Sequence, residues 1–180
     1  NGFATLGLPD KVVEAVKRVG FEQPSPIQAQ TIPLLMQGRD VVGLAQTGTG
    51  KTAAFALPVL SQIDPKQRHP QALVLAPTRE LALQVQRELA WLYEHADGRV
   101  VSCVGGMDPR REQRELAQGA HIVVGTPGRL CDHLRRGRLD ISGLRVVVLD
   151  EADEMLNLGF REDMEFILET TPDTRRTLLF

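Results

Sequence analysis

Apolar and polar positions along this chain fall into two regimes. Five short runs are apolar at nearly every position, and each is bounded by turn or capping residues. They are Asp40-Val41-Val42-Gly43-Leu44, Ala72-Leu73-Val74-Leu75-Ala76, Val100-Val101-Ser102-Cys103-Val104, Ile122-Val123-Val124 and Val146-Val147-Val148-Leu149. Their β-branched content and near-continuous apolar character predict strands buried on both faces. A sixth run, Thr177-Leu178-Leu179-Phe180, begins in the same way and stops, so the chain is expected to be a fragment of something longer. Between the runs the period changes. From Arg79 to His95 the apolar residues Leu81, Val85, Leu89 and Leu92 recur every third or fourth position, which predicts a helix with one buried stripe. Strands alternating with helices read as βαβ units, hence a mostly parallel sheet with helices on both faces.

Ahead of the first strand, Leu8 to Val19 has helical period, with Pro9 suited to a first turn and Gly20 to a stop. Pro24 and Pro26 then hold an extended stretch before a short helix around Gln28 to Met36. Asp64 to Gln71 reads as a surface loop. No domain boundary is visible, and a single domain over residues 1–180 is expected.

Composition narrows the function classes. The chain has 180 residues, 42 % of them hydrophobic and 24 % charged, as in an ordinary globular domain with one core. No apolar run approaches the roughly 18 residues of a membrane span, and Asn1-Gly2-Phe3-Ala4 lacks the features of a secretory signal. Two cysteines, Cys103 and Cys131, exclude a disulfide framework and suit a reducing cytosol. With 21 basic and 23 acidic residues the net charge is −2, which argues against a polybasic surface but not against a local basic track.

Two segments carry candidate chemistry. Ala45-Gln46-Thr47-Gly48-Thr49-Gly50-Lys51-Thr52 follows a predicted strand and opens a helix. Glycines there let backbone N–H groups approach phosphate oxygens, Lys51 adds a full positive charge, and the Thr52 hydroxyl suits Mg²⁺. The generic phosphate-loop pattern wants glycine at Ala45; the competing reading is a glycine-rich turn with an incidental lysine. Asp150-Glu151-Ala152-Asp153 follows the run Val146 to Leu149. A carboxylate at the carboxyl end of a parallel strand beside a phosphate loop is placed to hold Mg²⁺, and its neighbour to orient an attacking water. The competing reading is helix capping by acidic residues.

Together these residues resemble the amino-terminal RecA-like domain of a DEAD-box RNA helicase of superfamily 2. The likeness runs from Phe3 to Phe180 through several motifs in family order. Besides the two segments above, it includes Gly20-Phe21 with Pro24-Ser25-Pro26-Ile27-Gln28, then Pro77-Thr78-Arg79-Glu80-Leu81, Gly105-Gly106 and Thr126-Pro127-Gly128-Arg129. The family pattern accepts alanine at position 45; Ser25 stands where threonine is commoner and keeps the hydroxyl.

The resemblance implies an α/β RecA-like P-loop fold, with residues 1–36 as a Q-motif region and residues 37–180 as the P-loop core. It implies ATP and Mg²⁺ as cofactors, held by Gln46, Thr47, Gly48, Thr49, Gly50, Lys51 and Thr52, with Thr52 and Asp150 at the metal. Lys51, Asp150 and Glu151 are the implied catalytic residues, and Asp153 couples nucleotide state to other motifs. Gln28 matches the donor and acceptor edge of adenine, a pairing worth about 1–3 kcal/mol of discrimination. Phe3, which lies 17 positions before Gly20, is implied to pack on the adenine ring. Pro77, Thr78, Arg79, Gly105, Gly106, Thr126, Pro127, Gly128 and Arg129 are implied to grip the RNA sugar-phosphate backbone without reading bases.

The expected function is RNA-dependent ATP hydrolysis with local unwinding of short duplexes, in the cytoplasm and away from membranes. The implied partners are RNA and a second RecA-like domain of the same protein, absent from this chain. That domain would supply an arginine finger worth about 10³–10⁵ in rate, so the isolated chain, expected to be monomeric, should bind nucleotide weakly and barely hydrolyse it. Two other readings compete: a P-loop ATPase that does not act on nucleic acid, and a non-catalytic RecA-like adaptor. His69, His95, His121 and His133 show no metal-ligand spacing with one another or with the cysteines. Arg110-Arg111 and Arg135-Arg136-Gly137-Arg138 read as solvated charge, and Trp91 and Tyr93 as packing residues.

Overall fold

The structure is a computed structural model. It describes residues 2–7, 10, 13–14, 23, 28–29, 32–33, 41–42, 56–57, 59, 61, 63–94, 98–172 and 175–179. Every predicted strand has a counterpart. They are β1 (Val41–Val42), β2 (Ala72–Leu75), β3 (Val100–Cys103), β4 (Ile122–Gly125), β5 (Val146–Leu149) and β6 (Arg176–Leu179). All pair in parallel, in the order β1-β6-β5-β2-β4-β3. The helices are α1 (Arg79–Leu92), α2 (Pro109–Ala117), α3 (Pro127–Arg135), α4 (Ala152–Asn157) and α5 (Arg161–Thr170). A 3₁₀ turn spans Gly2–Thr5, and residues 10, 13–14, 28–29 and 32–33 are helical, where two helices were predicted.

The central strands β2, β4 and β5 are apolar because successive side chains enter two different cores. Ala72, Val74, Ile122, Val124, Val146 and Val148 face one cluster, with Phe3, Ile32, Leu57 and the buried face of α1. Leu73, Leu75, Val101, Val123, Val147 and Leu149 face the other, with Leu130, Met155 and Ile167. With helices on both sides, these three strands are buried at every position, and polar residues are confined to β3 and β6.

Helix α1 shows how the local code works. Thr78 caps it by accepting from the Leu81 N–H at 3.2 Å, and Glu80 lies in the first turn, where the helix dipole favours an anion. Its buried stripe is Ala82, Val85, Leu89 and Leu92, one position round from the predicted Leu81, which is half-buried. The helix ends at Leu92, three residues before the predicted His95, which lies outside the described residues. Beyond it Tyr93 is buried and its hydroxyl donates to the Ala56 carbonyl at 2.6 Å, whereas Trp91 is 42 % exposed and does not fill the core.

Candidate functional site

Because all six strands run the same way, every segment that leaves a strand at its carboxyl end emerges on one edge of the sheet. The register sharpens this. Val42 of β1 and Leu149 of β5 both pair with Leu179 of β6, so the two flanking strands end at one level, about two strand spacings or roughly 10 Å apart. The chain continues from β1 toward Gln46–Thr52 and from β5 into Asp150-Glu151. Gln46, Thr47, Gly48, Thr49, Gly50, Lys51 and Thr52 lie outside the described residues.

Asp150 is 3 % exposed and its backbone N–H donates to the Leu75 carbonyl at 2.9 Å. A carboxylate is the hard oxygen donor that Mg²⁺ takes, and this one is buried at the strand's carboxyl end, so it fits the ion. Glu151 has φ 54° and ψ 53°, the left-handed region, and is the only such non-glycine among the described residues. A non-glycine there costs about 1–3 kcal/mol and persists only where the surroundings dictate it. Glu151 makes no side-chain capping bond to α4. The capping interpretation therefore fails at this residue, and a half-buried carboxylate is presented beside Asp150 instead. Asp153 is exposed in the first turn of α4.

Gln28 is helical and only 2 % exposed, so its amide is held in the interior rather than solvated. Phe3 is 0 % exposed and belongs to the core cluster that also holds Val13, Ile32 and Leu57.

On the other half of the sheet, Leu75, Gly125 and Cys103 stand at one level across β2, β4 and β3. The three implied backbone-gripping segments follow them. Thr78 and Arg79 are exposed, and the Thr78 oxygen caps α1. Gly105 and Gly106 form an exposed turn whose N–H groups enter no hydrogen bond among the described residues. Gly106 has φ +83°, the left-handed region that favours glycine, and its Cα faces the movable Arg79 guanidinium. Thr126 caps α3 without a side-chain hydrogen bond, Pro127 is buried at the helix start, and Gly128 is exposed.

Arg129 is largely enclosed: its side chain is 13 % exposed, Nη1 donates to Glu112 Oε1 at 2.9 Å, and Nη2 donates to the Met107 carbonyl at 3.0 Å. Folding also brings His133 beside Cys103 and Glu112, a proximity that sequence spacing hid. Burial, with the Glu112 charge added, pushes the Cys103 thiol up.

Main-chain bonds run from strand to strand along this edge. Asp150 N–H donates to Leu75, Ala76 N–H to Gly125 at 3.0 Å, and Thr126 N–H to Cys103 at 3.1 Å. No described helix is long and apolar enough to cross a membrane.

Comparison with known proteins matches this geometry to a described group. The family profile "DEAD/DEAH box helicase" matches residues 25–180. The ATP-dependent RNA helicase DeaD of Haemophilus influenzae is 55 % identical over 179 residues, covering 99 % of this chain and 29 % of that protein. The ATP-dependent RNA helicase CshA of Limosilactobacillus reuteri is 52 % identical over 178 residues, covering 99 % of this chain and 36 % of that protein. The crystal structure of a DEAD box protein from Methanococcus jannaschii superposes with a TM-score of 0.92 at 40 % identity, over 99 % of this chain and 49 % of that one. This chain spans about a third of the length of the curated relatives it matches.

Proposed function

This chain belongs to the DEAD/DEAH box helicase family and has its RecA-like fold, and from that premise we propose that it is the ATP-binding and RNA-binding half of an ATP-dependent RNA helicase. The observation that carries the reading is the division of one sheet edge. Asp150 and Glu151 stand level with the end of β1, and the exposed donors of Thr78, Arg79, Gly105 and Gly106 stand beyond β2, β4 and β3.

The nucleotide is ATP with Mg²⁺, which, when bound, neutralises charge on the phosphates. Asp150 and Thr52 hold the ion, and Gln46 to Thr52 cradle the phosphates, with Lys51 supplying positive charge. Gln28 selects adenine. Glu151, fixed by its left-handed backbone, orients the attacking water and accepts its proton. Asp153 couples the nucleotide to the rest of the site. Thr78, Arg79, Gly105, Gly106, Thr126, Pro127 and Gly128 form the RNA face, where hydroxyl, guanidinium and main-chain N–H donors suit phosphate oxygens and read no base.

A second RecA-like domain completes the machine with an arginine finger worth about 10³–10⁵ in rate, so this chain alone is a monomer that barely turns over. The cytoplasm is its location. The test is ATP hydrolysis by the intact natural protein with and without single-stranded RNA, for wild type and Glu151→Gln. RNA should stimulate the wild type. Glu151→Gln should bind ATP normally and lose about 10²–10⁴ in turnover. Hydrolysis indifferent to RNA, or an active Glu151→Gln enzyme, would overturn the reading.

A further inference from the structure

Glu112 sits on α2, a helix whose other polar side chains face solvent, yet it is 4 % exposed. Burying a carboxylate costs several kcal/mol unless partners surround it, and here both oxygens are occupied. Oε2 accepts the Val104 N–H at 2.9 Å. Oε1 accepts Arg129 Nη1 at 2.9 Å and lies 2.8 Å from His133 Nε2, which carries its hydrogen toward this acceptor-only group.

The positions of these partners give the cluster its meaning. Val104 is the residue before Gly105-Gly106, and Met107, whose carbonyl takes the other Arg129 nitrogen, is the residue after. The Gly105-Gly106 turn is thus pinned at both ends by one Glu112–Arg129 pair. Arg129 belongs to the Thr126–Arg129 segment, and Met107 Sδ also receives Arg79 Nη2 at 3.4 Å. The Gly105-Gly106 turn and the Thr126–Arg129 segment therefore meet at a single buried carboxylate, and Arg79 joins them through Met107.

Cys103, Glu112 and His133 bring ligand atoms within 4.8 Å of one another, the spacing of a cation site. With three N–H groups already on the Glu112 oxygens and the Arg129 charge beside them, the cluster is built as a lock between loops and not as a seat for a divalent ion.

We propose that Glu112 is a positioning residue for RNA binding: acting through Arg129 and the Val104 N–H, it fixes the Gly105-Gly106 turn against the Thr126–Arg129 segment. This rests on the RNA-binding reading above. It assigns Arg129 a new task, that of a bracket carrying the load between two loops.

The decisive variant is Glu112→Gln, which keeps volume and removes charge. An amide has one acceptor oxygen, so its NH₂ must oppose either the Val104 N–H or Arg129, and one end of the lock opens. In the intact natural protein the variant should melt as a folded protein and bind ATP without RNA within about twofold of wild type. Its KM for single-stranded oligouridylate in RNA-stimulated hydrolysis should rise about tenfold, which is about 1.4 kcal/mol, with kcat at saturating RNA changed less than about threefold. Glu112→Ala should raise that KM further, and if it does not fold, Glu112→Gln decides alone. A folded Glu112→Gln protein whose KM for RNA stays within about twofold of a responsive wild type overturns this proposal and leaves the helicase reading intact. A wild type that ignores RNA overturns both.

Discussion

Gly125 offers the sharpest test of how the carboxyl edge of the sheet is built. It is the last residue of β4, pairs with Cys103 of β3, and immediately precedes Thr126. A Cβ placed there would lie 2.5 Å from the Cys103 carbonyl oxygen and 2.7 Å from Leu130 Cγ. Ordinary contact begins at 3.4 Å, so Gly125→Ala must drive β3 and the start of α3 apart by about 0.9 Å. The obstacle is strand backbone on one side and a fully buried leucine on the other, so neither yields cheaply. Overpacking of this kind costs about 1–3 kcal/mol, and the backbone clash sets it at about 3 kcal/mol. For a domain of this size that lowers Tm by about 6–12 °C, measured by scanning calorimetry on the intact natural protein. Gly105→Ala is the control: nothing lies within 4 Å of its Cβ, and its Tm should hold within about 1 °C. A Gly125→Ala protein that melts within about 1 °C of wild type would refute the claim that β3 and α3 leave no room.

Two further outcomes follow from buried groups. Tyr93→Phe removes the buried hydrogen bond from the hydroxyl to the Ala56 carbonyl, which should cost about 0.5–1.5 kcal/mol in urea unfolding; an unchanged midpoint would contradict it. Burial, reinforced by Asp163, pushes the Cys131 thiol up to about 11, whereas an unfolded thiol titrates near about 8.5. The folded state therefore keeps the full benefit of this neutral thiol below pH of about 8.5 and loses it as pH rises toward about 11. Stability measured across that range should fall less steeply for Cys131→Ala, and neither thiol should react with Ellman's reagent at pH 8 before unfolding. Rapid native reaction would count against the burial argument.

The sequence made the strands readable because burial on both faces leaves an unbroken apolar run, a signal that survives without knowledge of neighbours. Strand order was not readable: β6 lies between β1 and β5, and no local pattern says that residues 176–179 pair with residues 41–42. The site divides in the same way. Asp150 and Glu151 were legible from a short motif after a strand, but the left-handed backbone of Glu151 was not. Arg129 spells a phosphate donor in its motif and folds as an ion-pair partner, because Glu112 lies 17 residues away and reads as one more surface charge on an acidic and basic helix. The burial of Phe3 was not legible either, since an isolated aromatic near a chain end reads the same whether it is exposed or enclosed in a core.

The main-chain bonds from Asp150 to Leu75, Ala76 to Gly125 and Thr126 to Cys103 have a bearing on how this protein tolerates change. They form a scaffold rung by rung out of peptide groups that nearly every amino acid supplies. Apart from Gly125, where any side chain would strike the Cys103 carbonyl, drift in side chains along the edge leaves these rungs in place, so the interval separating the carboxylate corner from the glycine turn is inherited with the polypeptide itself. Only proline, which lacks the donor hydrogen, or an ester in place of an amide would cut a rung.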